Sequence, residues 1–158
     1  AARTGIERMI ARGHRKIGFV IFQSQDIGLR EQGYRNAMTE AGLEIEPDFI
    51  CRWDRDKDNT QFEPMLKSGV TAVMMAQGFL LRYFMRGLGE RNIRVPDDLE
   101  VITFNRISDQ LPYKHCVHEI VEPFREMARL AVSRIMGEEE MRGVNCRLLE
   151  PDFVMKKF

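Results

Sequence analysis

Apolar and polar positions along this chain alternate between two periods. Ile6, Met9 and Ile10 recur at helical spacing and stop at Gly13, a residue suited to end a helix. Lys16-Ile17-Gly18-Phe19-Val20-Ile21-Phe22 then forms a continuous apolar run, the pattern of a strand buried on both faces of a parallel sheet. Polar residues Gln23 to Asp26 follow. From Arg30 to Ala41 the helical period returns, with Tyr34, Ala37, Met38 and Ala41 on one side and Gly42 as the stop. The unit repeats. Phe49 to Arg52 reads as a short strand. Thr60 to Lys67 reads as a helix, provided Pro64 lies in its first turn. Val70 to Ala76 is a strand, Phe79 to Arg91 a strongly apolar helix, and Leu99 to Phe104 a strand.

After Asn105 the alternation lapses. Residues 106–116 read as loop, Val117 to Val121 as a strand, and Pro123 to Met136 as a helix with proline in its first turn. Glu138 to Gly143 reads as a polar turn and Arg147 to Met155 as a last strand. Strands alternating with helices across short loops predict an α/β domain: a three-layer, Rossmann-like, mainly parallel sheet.

In such a sheet, ligands sit at the carboxyl ends of the strands. The segment Arg94-Val95-Pro96-Asp97-Asp98-Leu99-Glu100-Val101-Ile102-Thr103-Phe104-Asn105 ends a helix, stops at a proline, runs as a strand and finishes on a polar residue. Asn105 is therefore a candidate ligand contact. Arg30 stands near a helix start on the same edge, where a cation opposes the helix dipole and a guanidinium fork can grip a hydroxyl or a carboxylate. Trp53, the only tryptophan, ends the next strand and reads either as core or as a flat platform for a ligand ring.

Composition narrows the function. The chain has 158 residues, 44% hydrophobic and 30% charged, which suits one ordinary globular domain. Its 24 basic and 24 acidic residues cancel, so nothing in the charge supports nucleic-acid binding by this segment itself. No apolar run is long enough to span a bilayer. The start, Ala1-Ala2-Arg3-Thr4-Gly5, reads as neither a signal nor a transit peptide but as a position inside a longer protein. Cys51, Cys116 and Cys146 are odd in number and widely spaced, which points to free thiols and a cytoplasmic setting.

Motifs for metal or catalysis are weak. Asp54-Arg55-Asp56-Lys57-Asp58-Asn59 resembles the start of a calcium loop, but Asn59 replaces the turn glycine and Met65 falls where a bidentate glutamate is required. His115-Cys116-Val117-His118 lacks the second ligand pair of a structural zinc site. Ser24, Ser68, Ser108 and Ser133 have no nucleophile-elbow context, and Gly13, Gly18 and Gly28 match neither nucleotide fingerprint. The expectation is no metal, no cofactor and no enzyme.

Four blocks carry a family resemblance. Met9-Ile10-Ala11-Arg12-Gly13-His14-Arg15-Lys16-Ile17-Gly18-Phe19, Arg30-Glu31-Gln32-Gly33-Tyr34-Arg35-Asn36-Ala37-Met38, the segment Arg94 to Phe104, and Leu149-Glu150-Pro151-Asp152-Phe153-Val154 resemble, in order and spacing, the blocks of LacI/GalR-type bacterial transcription regulators. The resemblance implies the C-terminal lobe of a periplasmic-binding-protein-like type I fold. The lobe covers about 13–106 and 144–158, and a returning segment, about 107–143, belongs with an N-terminal lobe outside this sequence. It further implies a small polar effector, a carbohydrate or a carboxylate-bearing relative, and operator DNA bound only through a helix-turn-helix domain elsewhere.

By the same resemblance Arg30 matches the effector-contacting arginine and Asn105 replaces a sugar-binding aspartate. Gln77 and Gly78 replace an Asn-Asp pair, and Trp53 lies near an aromatic that stacks on the effector. The apolar helix around Leu81, Arg82 and Met85 would then contribute to a homodimer surface, burial in the helical layer being the alternative. The helix Pro123–Met136 would turn Phe124, Met127, Leu130 and Ala131 toward the missing lobe, and effector affinity of this segment alone would be weak. Two other readings stay open: a periplasmic-type solute-binding protein, and a small α/β enzyme. A helix-turn-helix upstream of residue 1 separates the regulator from the transporter protein. Turnover lost in Arg30→Ala would favour the enzyme.

Overall fold

The structure is a computed structural model and describes residues 1–22, 28–108, 110–136 and 149–158. Its element order is α1 (Ala2–Ala11), β1 (Ile17–Phe22), α2 (Gly28–Glu40), β2 (Ile50–Trp53), α3 (Glu63–Lys67), β3 (Ala72–Met75), α4 (Leu81–Gly89), β4 (Glu100–Phe104), β5 (His118–Val121), α5 (Phe124–Ile135) and β6 (Asp152–Val154). The strands form one six-stranded sheet in the order β2-β1-β3-β4-β5-β6. The first five run parallel, and β6 pairs with β5 antiparallel through Ile120 and Phe153. This is the mainly parallel α/β architecture expected from the alternating pattern. The loop expected at Gln23 to Asp26, the turn at 138–143, Cys146 and the start of the last strand lie outside the described residues.

Because successive strand side chains point to opposite faces, each strand feeds two cores. Val20, Val73, Met75 and Val101 join Phe62, Met65, Leu81, Phe84 and Leu88 of the α3–α4 layer. Phe19, Ile21, Met74, Ile102 and Phe104 join Ile6, Met9, Tyr34 and Met38 of the α1–α2 layer. The result is three layers. Helices α1 and α2 cross closely enough that a Cβ on Gly33 would lie 3.0 Å from the Arg3 backbone nitrogen, which explains a glycine in mid-helix.

Two expected elements are shortened for local reasons. The segment Thr60 to Lys67 splits into a 3₁₀ turn at Asn59–Phe62 followed by α3, with Pro64 in the first positions of the α-helix and Asp58 capping the turn by accepting from the Thr60 N–H at 2.9 Å. The apolar helix from Phe79 likewise begins as a 3₁₀ turn, Gly78–Leu80, before α4. Helix α5 contributes no residue to either core. Leu130 is buried, whereas Phe124, Met127, Val132 and Ile135 are exposed by 49 to 83%.

The amino-terminal edge of the sheet is pinned by a charged cluster. Glu100, at the start of β4, accepts two hydrogen bonds from Arg12 at 2.8 and 2.9 Å and lies 2.9 Å from Nε2 of His118. Nδ1 of the fully buried His118 accepts the Lys156 backbone N–H at 2.9 Å, so its proton sits on Nε2 and is donated to Glu100. His118 is thus committed to a structural contact that anchors the chain after β6. Cys116 is instead spent on the Tyr113 carbonyl, and Cys51 is a free buried thiol whose pKa burial pushes up to about 12.

Burial pushes the Glu100 carboxyl up, but the hydrogen bonds from Arg12 and His118 outweigh it and hold the pKa at about 2. Burial lowers the His118 pKa from 6.5, and Glu100 opposes that shift. Both folded-state values lie below the unfolded ones, so the stabilisation is complete above about pH 6.5 and is lost on acidification. Stability should fall first as the unfolded imidazole gains a proton below that pH, then further as Glu100 loses its advantage between 4.5 and about 2. Urea unfolding of Glu100→Gln at pH 7 should show a loss of about 2 kcal/mol and a flattened acid limb.

Candidate functional site

Strand order 2-1-3 places the topological switch point between β1 and β3, and the crevice outside their carboxyl ends is where an open α/β sheet binds ligands. Gln77, 7% exposed, bridges this point: its Oε1 accepts the Phe22 N–H at the end of β1 at 3.2 Å. Asn105 follows β4 directly. Its backbone adopts φ 70°, the left-handed region that asparagine tolerates better than most residues, and its N–H donates to the Ile120 carbonyl at 2.8 Å.

Arg30, in the first turn of α2, reaches across this edge. It donates to the Ala76 carbonyl beyond β3 and to Glu122 Oε1 at 2.9 Å, and its guanidinium lies 3.9 Å from the centroid of the Phe104 ring. Asn105 Nδ2 donates to the other Glu122 oxygen at 3.0 Å. Glu122 therefore receives both candidate residues at once. Arg30, expected to grip a ligand hydroxyl or carboxylate, instead has an acid of this chain beside it: Glu122, placed there by β5. The sequence signal was available, since Glu122 is the polar residue between a strand and a helix-starting proline, the same position in its unit that singled out Asn105.

Beside this brace lies an open cleft of about 470 Å³ between the β3–α4 connection and the loop after β4. Gln77, Gly78, Leu81 and Arg82 line one side; Asn105, Arg106, Ser108 and Tyr113 line the other. Its size is that of a small-molecule site. The two walls meet at Gly78, where a Cβ would lie 2.6 Å from the Phe104 carbonyl oxygen, so only glycine lets the α4 entrance pack onto the end of β4.

The family described as periplasmic binding protein-like domain matches residues 6–148. The chain belongs to that family. Among curated relatives it is 27% identical to the HTH-type transcriptional repressor PurR of Photobacterium profundum over 161 residues, 96% of this chain and 48% of the relative. The chain thus spans about half the length of the curated relatives it matches. Among solved structures it is similar to the transcriptional regulator CelR in complex with cellobiose, with 29% identity and a TM-score of 0.75, covering 98% of this chain and 50% of that one. It shares its fold with a LacI-family sugar-binding transcriptional regulator from Escherichia coli complexed with phosphate, at 19% identity and a TM-score of 0.79, covering 98% of this chain and 58% of that one. The resemblance to LacI-type regulators read from the four sequence blocks is the one these comparisons find.

Within this periplasmic binding protein-like domain the candidate residues separate into two groups. Arg30, Gln77 and Asn105 converge on the carboxyl edge. Trp53 does not present a platform: it is 2% exposed, packed 4.6 Å from the Tyr83 ring centroid and 5.8 Å from that of Phe22, and its indole N–H has no partner among the described residues. Leu81, expected on a dimer surface, is instead 2% exposed in the core below α4, because the apolar helix has to cover a whole sheet face. Arg82 lines the cleft, and Met85 packs half-buried against the same core. Gly78→Ala should lower stability by about 1–3 kcal/mol and move the amide resonances of both cleft walls, because a backbone carbonyl cannot yield as a flexible side chain does. Thermal unfolding and an amide NMR spectrum read both effects.

Proposed function

We propose that this domain is the effector-sensing part of a bacterial LacI-type transcription regulator, and that the carboxyl-edge cleft holds a small polar effector, a sugar or sugar-like molecule. The observation that carries the reading is the convergence of Gln77, Asn105 and the Arg30–Glu122 brace at the switch point of the sheet. With Arg30 and Asn105 Nδ2 engaged by Glu122, and Gln77 Oε1 by the Phe22 N–H, the remaining polar groups of the cleft walls do the recognition. Membership of the family and the repressor names of the relatives support a sensing role over catalysis.

In this reading the effector shifts the population of DNA-competent arrangements of the whole protein, whose helix-turn-helix domain contacts the operator in the cytoplasm. Of the segment of about 107–143, helix α5 packs against a second α/β lobe, a reading supported by its exposed apolar side chains, while β5 stays in this sheet beside β4. Two copies pair, as the resemblance implies, leaving Leu81 in the core. The repressor names of the relatives favour the regulator over a periplasmic-type solute-binding protein.

Titration of the domain with a panel of sugars, their phosphates and their uronates, followed by amide chemical shifts, should move Gln77, Gly78 and Asn105 together. Asn105→Gly keeps the left-handed backbone and removes the amide, so affinity should fall about tenfold, the equivalent of one lost polar contact. Because one lobe alone binds weakly, a panel that moves none of these three residues at ligand concentrations on the order of 10 mM refutes the site.

A further inference from the structure

The charges around the cleft do not balance. At this edge Arg30 is matched by Glu122 at 2.9 Å, and Lys114 by the buried Glu119 at 3.0 Å. Arg82 and Arg106 both line the cleft, one from the entrance to α4 and the other from the loop after β4, and have no ion pair or hydrogen bond among the described residues. No aspartate or glutamate is among the described residues that line it. Arg82 also stands in the first turn of α4, which holds no acidic residue, so a cation sits where the helix dipole favours an anion.

The remaining polar groups do not offset this charge. The other lining side chains are uncharged: Asn105, whose Nδ2 is spent on Glu122, with Gln77, Thr103, Ser108 and Tyr113. They can accept or donate hydrogen bonds but bring no negative charge, so the described lining is net positive. Arginine forks match the paired oxygens of phosphate and carboxylate groups.

We infer that Arg82 and Arg106 form an oxyanion clamp, so that the effector of this cleft carries a phosphate or carboxylate group. The inference rests on the effector reading above and specifies its ligand class. The anion would complete three things at once: the charge of Arg106, the charge of Arg82, and the uncompensated start of α4. Arg30, the first residue suspected of gripping a carboxylate, is the brace behind the site and not the clamp.

The test is an amide-shift titration of the whole 158-residue chain with inorganic phosphate, a hexose 6-phosphate, a hexuronate and the neutral hexose. Runs at two salt concentrations cover the wild type, Arg82→Gln, Arg106→Gln and the double variant. Neither arginine supports the fold through a hydrogen bond, so unfolding temperatures should stay within a degree or two of wild type. The expected result is that at least one charged hexose shifts Gly78, Arg82 and Arg106, binds at least tenfold tighter than the neutral hexose, and weakens with salt and with each variant. Preference for the 6-phosphate over the hexuronate identifies the oxyanion as phosphate, and the reverse identifies it as carboxylate. If the neutral hexose binds the cleft as well as the charged ones, and the variants do not matter, the clamp is overturned while the effector site stands. One lobe alone binds weakly, so each probe is taken to concentrations on the order of 10 mM; if none shifts the cleft even there, both readings fall.

Discussion

The guanidinium of Arg30 holds the carboxyl edge of this sheet together. It bonds the backbone just past β3, covers the Phe104 ring at the end of β4, and meets Glu122 at the end of β5, all from the first turn of α2. Parallel strands have no hairpins joining them at this edge, so their ends are set by whatever spans them. Here one planar cation with several donors spans three of them. Its position in the first turn of a helix is unfavourable for a cation taken alone, and the carboxylate of Glu122 offsets that cost. Asn105 is fixed in turn, because its side chain donates to the same carboxylate and its backbone to β5.

That brace decides what the cleft can do. Once Glu122 is saturated by Arg30 and Asn105, neither partner offers its strongest donor to a ligand. Recognition passes outward to groups on the walls, which Gly78 brings into contact by letting the start of α4 touch the Phe104 carbonyl. The wall formed by the loop after β4 is itself held from below: Glu119 accepts the Ile107 N–H at 2.9 Å, and Lys114 donates to the Ile107 carbonyl at 2.8 Å. The buried carboxylate of Glu119 and the half-buried Lys114 paired with it thus position a stretch of chain that has no regular secondary structure.

Much of this was legible in the sequence where period and punctuation carry information. The apolar run through Phe19 to Ile21 reads as a strand covered on both faces because every residue in it is in fact buried. Asn105 stood out because a polar residue abruptly ends such a run. Glu122 obeys the same rule, but the strand before it opens with His118 and Glu119, polar residues drawn inward by Glu100 and Lys114, and this blurs the apolar signal. Trp53 and Leu81 show the converse limit. An aromatic at a strand end and a leucine at a helix start are equally compatible with surface and core, and only the packing of Tyr83 over the indole and of α4 over the sheet decides between them. The antiparallel direction of β6 has no local signature either, since it depends on the route of the chain after α5.

The two edges of the sheet divide the labour. At the amino edge Glu100 draws Arg12 and His118 onto one carboxylate, so these groups answer one another within the fold. At the carboxyl edge Arg30 is answered by Glu122, whereas Arg82 and Arg106 have no acid among the described residues that line the cleft. One of the two stands in the first turn of α4, where the helix dipole favours an anion. With α1 and α2 on one face and α3 and α4 on the other, both cores are built without α5, which buries Leu130 but leaves Phe124, Met127, Val132 and Ile135 exposed. In the proposed reading, the cleft and the apolar stripe along α5 are where the domain meets its effector and a second lobe.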